Sequence, residues 1–316
     1  MKLVRNVVVT AVVATCLWHV PANAVWVWTP ETGRWINPAR QPRATPEEQL
    51  NYARQLTRNG DYDEALEQFE RFFEFYGDTD IADRAQFEKA QCLESAGEHL
   101  EASREYQKVI ANWPDTKLFS EVIAKEYEIG DRFYELARED KDKFFLFRNR
   151  NLKRAVEVYN QVIENQRYTE EAAEARYKIG LCYFSRGRYD DARFEYDDLL
   201  EQYPASKWTP LALYGLAMCR YHGVMPAVYD QERTEEALTA FQRFVDEYSD
   251  NPRVPDAKVK ILELQEIVAE KKFRIAEHYL NRGRENSAKM YFLAVLEDYP
   301  ETSWAERARP FLEESE

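Results

Sequence analysis

Glycine is scarce, 10 in 316 residues, and cysteine and histidine are scarcer, four of each. So few turn formers over so long a chain argue against an all-β fold, which spends a tight turn about every 8–12 residues. Four Cys and four His leave little material for a metal centre or an activated nucleophile. Positive charge is in deficit, with 43 Lys and Arg against 57 Asp and Glu and a net charge of −14. That balance excludes the dominant basic face a nucleic acid requires. Beyond the first two dozen residues no run is apolar enough to span a bilayer. What is abundant is aromatic: 20 Tyr, 17 Phe and 7 Trp in a chain that is 45% hydrophobic. Rings spread through a charged, glycine-poor globular sequence point to helices packed by aromatic side chains.

The first 24 residues read as an address. Lys2 and Arg5 form a positive start, Val7 to Trp18 is uncharged, and Ala22-Asn23-Ala24 presents small residues to a signal peptidase. Cleavage is expected between Ala24 and Val25. A second reading stands beside it: Val13-Ala14-Thr15-Cys16 lies where a bacterial lipoprotein presents its lipidated cysteine, although Thr15 fits poorly there. A chain lipidated at Cys16 stays on a membrane, and one cleaved after Ala24 need not. Either way the mature part is expected to be soluble or peripheral.

A repeat runs through the rest. NGDYDEALEQF (59–69), AGEHLEASREY (96–106), RGRYDDARFEY (186–196) and RGRENSAKMYF (282–292) share a Gly, an Ala five residues on, and an aromatic four beyond that. Twelve residues before each Ala stands another small residue: Ala53, Ala90, Gly180 and Ala276. Eleven residues after each Ala stands an aromatic: Tyr76, Trp113, Tyr203 and Tyr299. The spacing has a mechanical reading. The first small residue lets helix A approach helix B, the Gly ends helix A in a left-handed turn, and the Ala and aromatic close the seam. Pro114, Pro204 and Pro300 then stop helix B. Ala155/Tyr159 and Ala237/Phe241 mark two degenerate copies, with Gly130 and Ala217 as their first small residues and insertions of 13 and 8 residues.

The expected fold is therefore an all-α tetratricopeptide-repeat (TPR) right-handed α-solenoid of about six hairpins. Residues 1–24 form the leader and 25–44 a Trp/Pro-rich segment. The repeat region is 45–316, with units near 45–80, 81–117, 118–170, 171–207, 208–252 and 253–316. The last unit is expected to carry a separate extra helix, 255–271, and a polar cap from 301.

Chemistry is hard to find. Cys92, Cys182 and Cys219 fall at one helix position in three repeats, as does His278, so burial is the expectation for the three thiols and partial burial for His278. A Cys182–Cys219 bridge would be the alternative for the thiols. His99, His222 and His278 lie in different repeats without metal-ligand spacing. No phosphate loop or nucleophile elbow appears, and acidic runs such as Asp61-Tyr62-Asp63-Glu64 sit at helix starts, where they complement the dipole. No cofactor and no catalytic residue is expected.

Recognition surface remains. The register places Arg54, Arg58, Arg84, Phe87, Tyr127, Tyr134, Tyr177 and Phe184 on helices A, facing either a groove for an extended peptide or the seams between repeats. Phe144, Phe145 and Phe147, in the 13-residue insertion, form either a partner docking patch or the packed end of a long hairpin. Trp26, Trp28 and Trp35 are costly to leave wet, so they pack on the first repeat or anchor a partner or membrane interface.

The junctions Trp113-Pro114-Asp115-Thr116, Tyr203-Pro204-Ala205-Ser206 and Tyr299-Pro300-Glu301-Thr302, with the final hairpin from Ala276 to Pro300, resemble those of the BamD (YfiO) family of outer-membrane assembly factors. The resemblance covers about 45–312. It implies a periplasmic scaffold at the inner face of the outer membrane of a Gram-negative-type cell. It implies that the chain grips BamA, the membrane-embedded assembly β-barrel, and that its N-terminal repeats receive C-terminal targeting segments of unfolded barrel proteins. It implies neither cofactor nor turnover. Members of that family are lipoproteins, so the weak lipobox, the Trp-rich leader and the two insertions are departures. The runner-up resembles CpoB-type periplasmic adaptors of cell division and peptidoglycan synthesis, which carry an N-terminal coiled coil; no heptad run precedes Ala44 here. A hydrolase is the remaining class, and it lacks a His or Cys cluster.

Overall fold

A computed structural model describes residues 27–29, 34–36, 41–139, 145–224 and 231–313. The leader sites Cys16, Ala24 and Val25 and the patch residue Phe144 lie outside these, as do the side chains of Phe145 and Phe147. Two strands, β1 (Val27–Thr29) and β2 (Arg34–Ile36), pair antiparallel with Trp28 opposite Trp35. This small hairpin in the Trp-rich segment is an addition to the all-helical expectation. All the other described elements are helices, and the chain divides into two compact units between Ala96 and Gly97.

The unit up to Ala96 holds α1 (Pro46–Asn59), α2 (Tyr62–Tyr76) and α3 (Ala82–Ser95). The Thr45 hydroxyl accepts the Glu48 N–H and Pro46 occupies the first turn, so α1 starts where its orphan donors are met. Gly60 ends it at φ 87°, with the Asp61 N–H returning to the Leu56 carbonyl at 3.0 Å. Leu50, Ala53 and Leu56 of α1 bury against Ala65, Phe69 and Phe72 of α2. One polar pair is enclosed with them: Gln49 donates from Nε2 to the Gln68 carbonyl at 2.9 Å.

The unit from Gly97 holds α4 (His99–Asn112), α5 (Phe119–Glu139), α6 (Phe145–Asn165), α7 (Glu170–Ser185), α8 (Tyr189–Gln202), α9 (Thr209–Val224), α10 (Gln231–Glu247), α11 (Val254–Asn281), α12 (Glu285–Asp298) and α13 (Ser303–Glu313). Gly60, Gly97, Gly187 and Gly283 all have positive φ, as the four expected turns require, and no other described residue does. The junctions repeat one hydrogen-bond pattern. The N–H of Trp113, Tyr203 and Tyr299 bonds back four residues, and each carbonyl then accepts from Thr116, Ser206 or Thr302. Proline directly after the aromatic costs nothing there, because its missing N–H has no place in that pattern.

The lock between helices is a ring against a missing side chain. Tyr196 of α8, 1% exposed, lies between Gly180 of α7 and Gly215 of α9. A Cβ on Gly180 would stand 2.4 Å from the ring, and one on Gly215 2.7 Å. Gly130 receives Tyr159 in the same way, at 2.6 Å. The 13-residue insertion leaves this register intact. α5 has 21 residues against 16 in α7, and α6 has 21 against 14 in α8, a gain of seven residues or about two turns in α6.

The final unit differs from expectation. No separate helix spans 255–271, because α11 runs unbroken for 28 residues. Pro255 sits in its first turn, and neither Gly nor Pro occurs again until Gly283. Its first half packs on α10 and its second half on α12 and α13. Ala269, Phe273, Ala276, Ala288, Phe292 and Val295 form the core there, with Ala305 and Ala308 of α13 closing it. Glu266 accepts both the N–H and the hydroxyl of Ser303 and so caps α13.

Two glycine substitutions separate turn strain from close packing. Nothing lies within 4 Å of a Cβ built at Gly187 (φ 73°). Gly187→Val therefore costs backbone strain, about 1–2 kcal/mol. Gly180→Ala meets the Tyr196 ring and costs about 1–3 kcal/mol by overpacking. Denaturant titration measures both, and an unchanged midpoint for Gly187→Val would sink the register.

Candidate functional site

In the unit up to Ala96, Arg54 and Arg84 converge on one carboxylate. Arg54 pairs bidentately with Glu88, Nη2 to Oε1 at 2.6 Å, and the Arg84 Nε reaches the same Oε1 at 3.0 Å. Arg54 also donates to Asn51 at 2.8 Å. The side chains of Arg54 and Glu88 are 23% and 14% exposed, so this fork is committed to the fold; Arg84, at 61%, faces solvent. Arg58 is exposed in the last turn of α1. Phe87 is a correction to the groove reading: it is 6% exposed and belongs to the core. It lies three residues before Ala90, hence on the same buried side of α3.

In the unit from Gly97, the four expected groove rings are half-buried in seams between successive helices A. Tyr127 of α5 lies under the Lys178 ammonium of α7, 4.3 Å from the ring centre. Tyr177 of α7 stacks on Trp208, at the entry to α9, with centroids 5.3 Å apart. Phe184 of α7 meets His222 of α9 edge-on at 5.2 Å. Tyr134 sits close to Cys182 and Ser185 of α7. Burial raises the hydroxyl pKa of Tyr127, Tyr134 and Tyr177, with the Glu174 carboxylate adding to the effect at Tyr127. These rings hold repeats together and stay neutral.

Beneath them lies an ionic lattice that the sequence reading missed. Asp131 accepts from Lys178 Nζ at 2.6 Å and from the Tyr159 hydroxyl, and Lys178 also pairs with Glu174 at 3.3 Å. Arg176 reaches Glu195 and Asp198 of α8 at 3.0 and 2.8 Å. A positional signal was available. The residue four before the small residue reaches across to helix B in three hairpins: Gln49 to Gln68, Arg176 to Glu195, and Lys272 to Asp298 at 2.6 Å.

Where α8, α9 and α10 begin or end together, a cleft of about 610 Å³ is lined by Arg188, Arg193, Arg220 and Arg233 interleaved with Asp190 and Glu236. Alternating signs suit a polar peptide better than a simple anion. Cys92, Cys182 and Cys219 are free and buried, and burial pushes the latter two thiols up to about 12, where they stay protonated. His278 departs from the expected partial burial and is exposed. Cys219, at the same register, lies near Asp190 and Asp197 of the preceding α8, and no described helix stands in that relation to His278. Among the described residues no group of His, Cys, Asp and Glu could hold a metal ion. No described helix is long and apolar enough to cross a membrane.

One carboxyl is out of the ordinary. Glu126 of α5 is 0% exposed, with Gln107 of α4 donating to it and Asn165 of α6 beside it. Burial pushes its pKa up to about 8, against the opposing pull of the Gln107 hydrogen bond and the nearby Asn165 amide. It is therefore mostly protonated in the folded chain at neutral pH.

Hairpins with this register, locked by small residues against rings, define a tetratricopeptide-repeat protein. The tetratricopeptide-repeat pattern itself matches residues 52–116. The pattern of the YfiO family, described as outer membrane lipoprotein, matches 141–315, more than half of the chain, and the chain belongs to that family. The outer membrane protein assembly factor BamD of Caulobacter vibrioides is 28% identical over 153 residues, 48% of this chain and 50% of that protein. The chain thus spans about half the length of this curated relative. Among solved structures, the thermophilic TPR protein TTC0263 of Thermus thermophilus is 18% identical, covering 70% of this chain and 98% of its own, with TM-score 0.34. YrrB, a TPR protein with an unusual peptide-binding site, is 17% identical, covering 70% and 93%, with TM-score 0.36.

Glu126 binds its proton more tightly folded than unfolded, so its contribution to stability is intact below about pH 4.5 and is lost as pH rises toward 8. Glu126→Gln keeps the shape without the ionisation. Its melting temperature should match wild type at pH 5 and exceed it increasingly up to pH 8.5; parallel curves would refute the buried-acid assignment. Arg54→Ala strips Glu88 of its bidentate partner and should cost about 1–2 kcal/mol, whereas exposed Arg84→Ala should cost under about 0.5. Urea midpoints compare the two.

Proposed function

We propose that this chain is a binding-only scaffold in outer-membrane β-barrel assembly, working on the periplasmic side of the outer membrane. Its C-terminal hairpin holds the periplasmic part of a BamA-like barrel, and its N-terminal repeats receive extended segments of unfolded barrel clients. Membership of the YfiO family and the likeness to a BamD relative support the setting.

The outer face of α12 carries the reading. Two and five residues after the buried Ala, four of the other helices B place Glu67 and Glu70, Arg104 and Gln107, Glu157 and Asn160, or Thr239 and Gln242, and α8 places Phe194, 64% exposed, and Asp197. In α12 the same positions are Met290, 72% exposed, and Leu293, 44% exposed. α12 is apolar and exposed at both positions, where α8 is so at one and the other four are polar at both; such a paired apolar face is one that a partner covers. In the unit up to Ala96, Arg58 of α1 and Arg84 of α3 carry exposed guanidinium groups, Arg54 being held by Glu88. They suit a client's terminal carboxylate. A CpoB-like role is the weaker reading, since the family match and the curated relative point to YfiO and BamD.

Met290→Glu with Leu293→Glu should leave the thermal melt unchanged and abolish co-purification of a BamA-like barrel from detergent-extracted envelopes. Cells depleted of the protein and supplied with this variant should accumulate unfolded barrel proteins. Retention of the barrel, or recovery of peptidoglycan synthases in its place, would overturn the assignment. Arg58→Glu with Arg84→Glu should weaken a barrel C-terminal peptide about tenfold or more in a fluorescence titration.

A further inference from the structure

The unbroken α11 leaves one helix-B position of the stack unfilled. α11 has 28 residues and α12 only 14, so α12 covers half of it. Past Asp298 the chain turns away at Pro300 and Glu301 into α13. Residues 254–265, about 18 Å of helix, therefore lie beyond the end of α12. Leu262 precedes Ala276 by 14 residues, which is about 40° short of four full turns, so the two share a face. The face that α12 covers around Ala276 thus continues uncovered around Leu262.

The repeat register identifies that face. Ala90, Gly180 and Ala217 each fall 14 residues after a junction residue (Tyr76, Gln166 and Tyr203), and at Gly180 this small residue receives the Tyr196 ring of helix B. Counted from Tyr248, the same position is Leu262. It is 38% exposed where Ala90, Ala217 and Ala276 are 0%. Four residues before it stands Lys258, the counterpart of Arg176 and Lys272, which bond to acids on or ending their helices B. Lys258 makes no ion pair among the described residues. With Ile261, Leu262, Gln265, Pro300 and Glu301 it lines a depression of about 390 Å³, and Val259 beside it is 54% exposed.

We propose that this depression receives one amphipathic helix of another protein, seated end-on to α12 in the place of the unfilled helix B. The pattern it needs can be read from the slot. An acid must face Lys258, as Glu195 and Asp198 face Arg176. A small residue must face Leu262, because the large side chain here is on helix A and the usual pairing is inverted. The surface is distinct from the Met290/Leu293 face, and its test does not depend on the assembly role.

The probe is a fluorescein-labelled, hydrocarbon-stapled peptide of residues 189–202 carrying Tyr196→Ala, which keeps Glu195 and Asp198 and offers a small residue to Leu262. Fluorescence anisotropy with the intact chain should show saturable binding. Lys258→Glu should weaken it about tenfold or more, and a second probe with Glu195→Lys and Asp198→Lys should regain affinity for that variant. Leu262→Gly should bind the parent probe less well and a probe retaining Tyr196 better. Both positions are exposed, and an unchanged thermal melt verifies the fold of each variant. Absence of saturable binding, or affinity indifferent to the charge exchange, overturns the proposal. So does a concentration-dependent dimer in sedimentation that Lys258→Glu dissolves, which would give the slot to a second copy.

Discussion

The constraint on which the stack from Gly97 depends is the contact of a helix-B ring with a helix-A residue that has little or no side chain. Tyr196 shows it most sharply, enclosed between Gly180 and Gly215 with no room for a Cβ on either. One ring thereby ties its own hairpin to the next. Because the contact tolerates no displacement, change is admitted only where it leaves the facing pair alone. The enlarged hairpin obeys this rule: α6 outgrows α8 by seven residues, about two turns, and Gly130 still meets Tyr159. A helix lengthened by whole turns returns its side chains to the same face.

This economy has a consequence for recognition. The aromatic wealth of the sequence is spent largely inside. Tyr127, Tyr177 and Phe184 bridge one helix A to the next rather than lining an open groove. Beneath them Lys178 and Arg176 are held by Asp131, Glu195 and Asp198. Surface available to a partner arises where the repeat rule is broken. Met290 and Leu293 replace polar residues on the outside of α12, and Leu262 replaces a small residue on the inside of α11. Both departures lie in the region that matches the YfiO family, and neither has chemistry beyond packing and charge.

Much of the architecture was legible as spacing. The four glycines read as turns all have positive φ, and Gly130 proved to be the small residue of its degenerate hairpin. These are local matters: a left-handed turn or a missing Cβ is a property of one residue and one neighbour. The extra helix before the last hairpin was misread, because a helix boundary was inferred from the repeat period where no Gly or Pro enforces one. Phe87 and His278 were misplaced for a related reason. Register tells which side of a helix a residue occupies, and it does not tell whether another helix arrives on that side.

The sequence by itself determined the repeat, its turns, its aromatic seams and the resemblance to a family, since each rests on residues at fixed short separations. Tertiary structure alone decided which arginine faces solvent and which is enclosed, that Glu126 is sealed among three helices, and that one face of the first half of α11, around Leu262, is exposed. Those outcomes depend on burial and on partners from distant parts of the chain. Burial sets both the cost of a charge and the worth of an apolar surface, and no spacing along one helix encodes it.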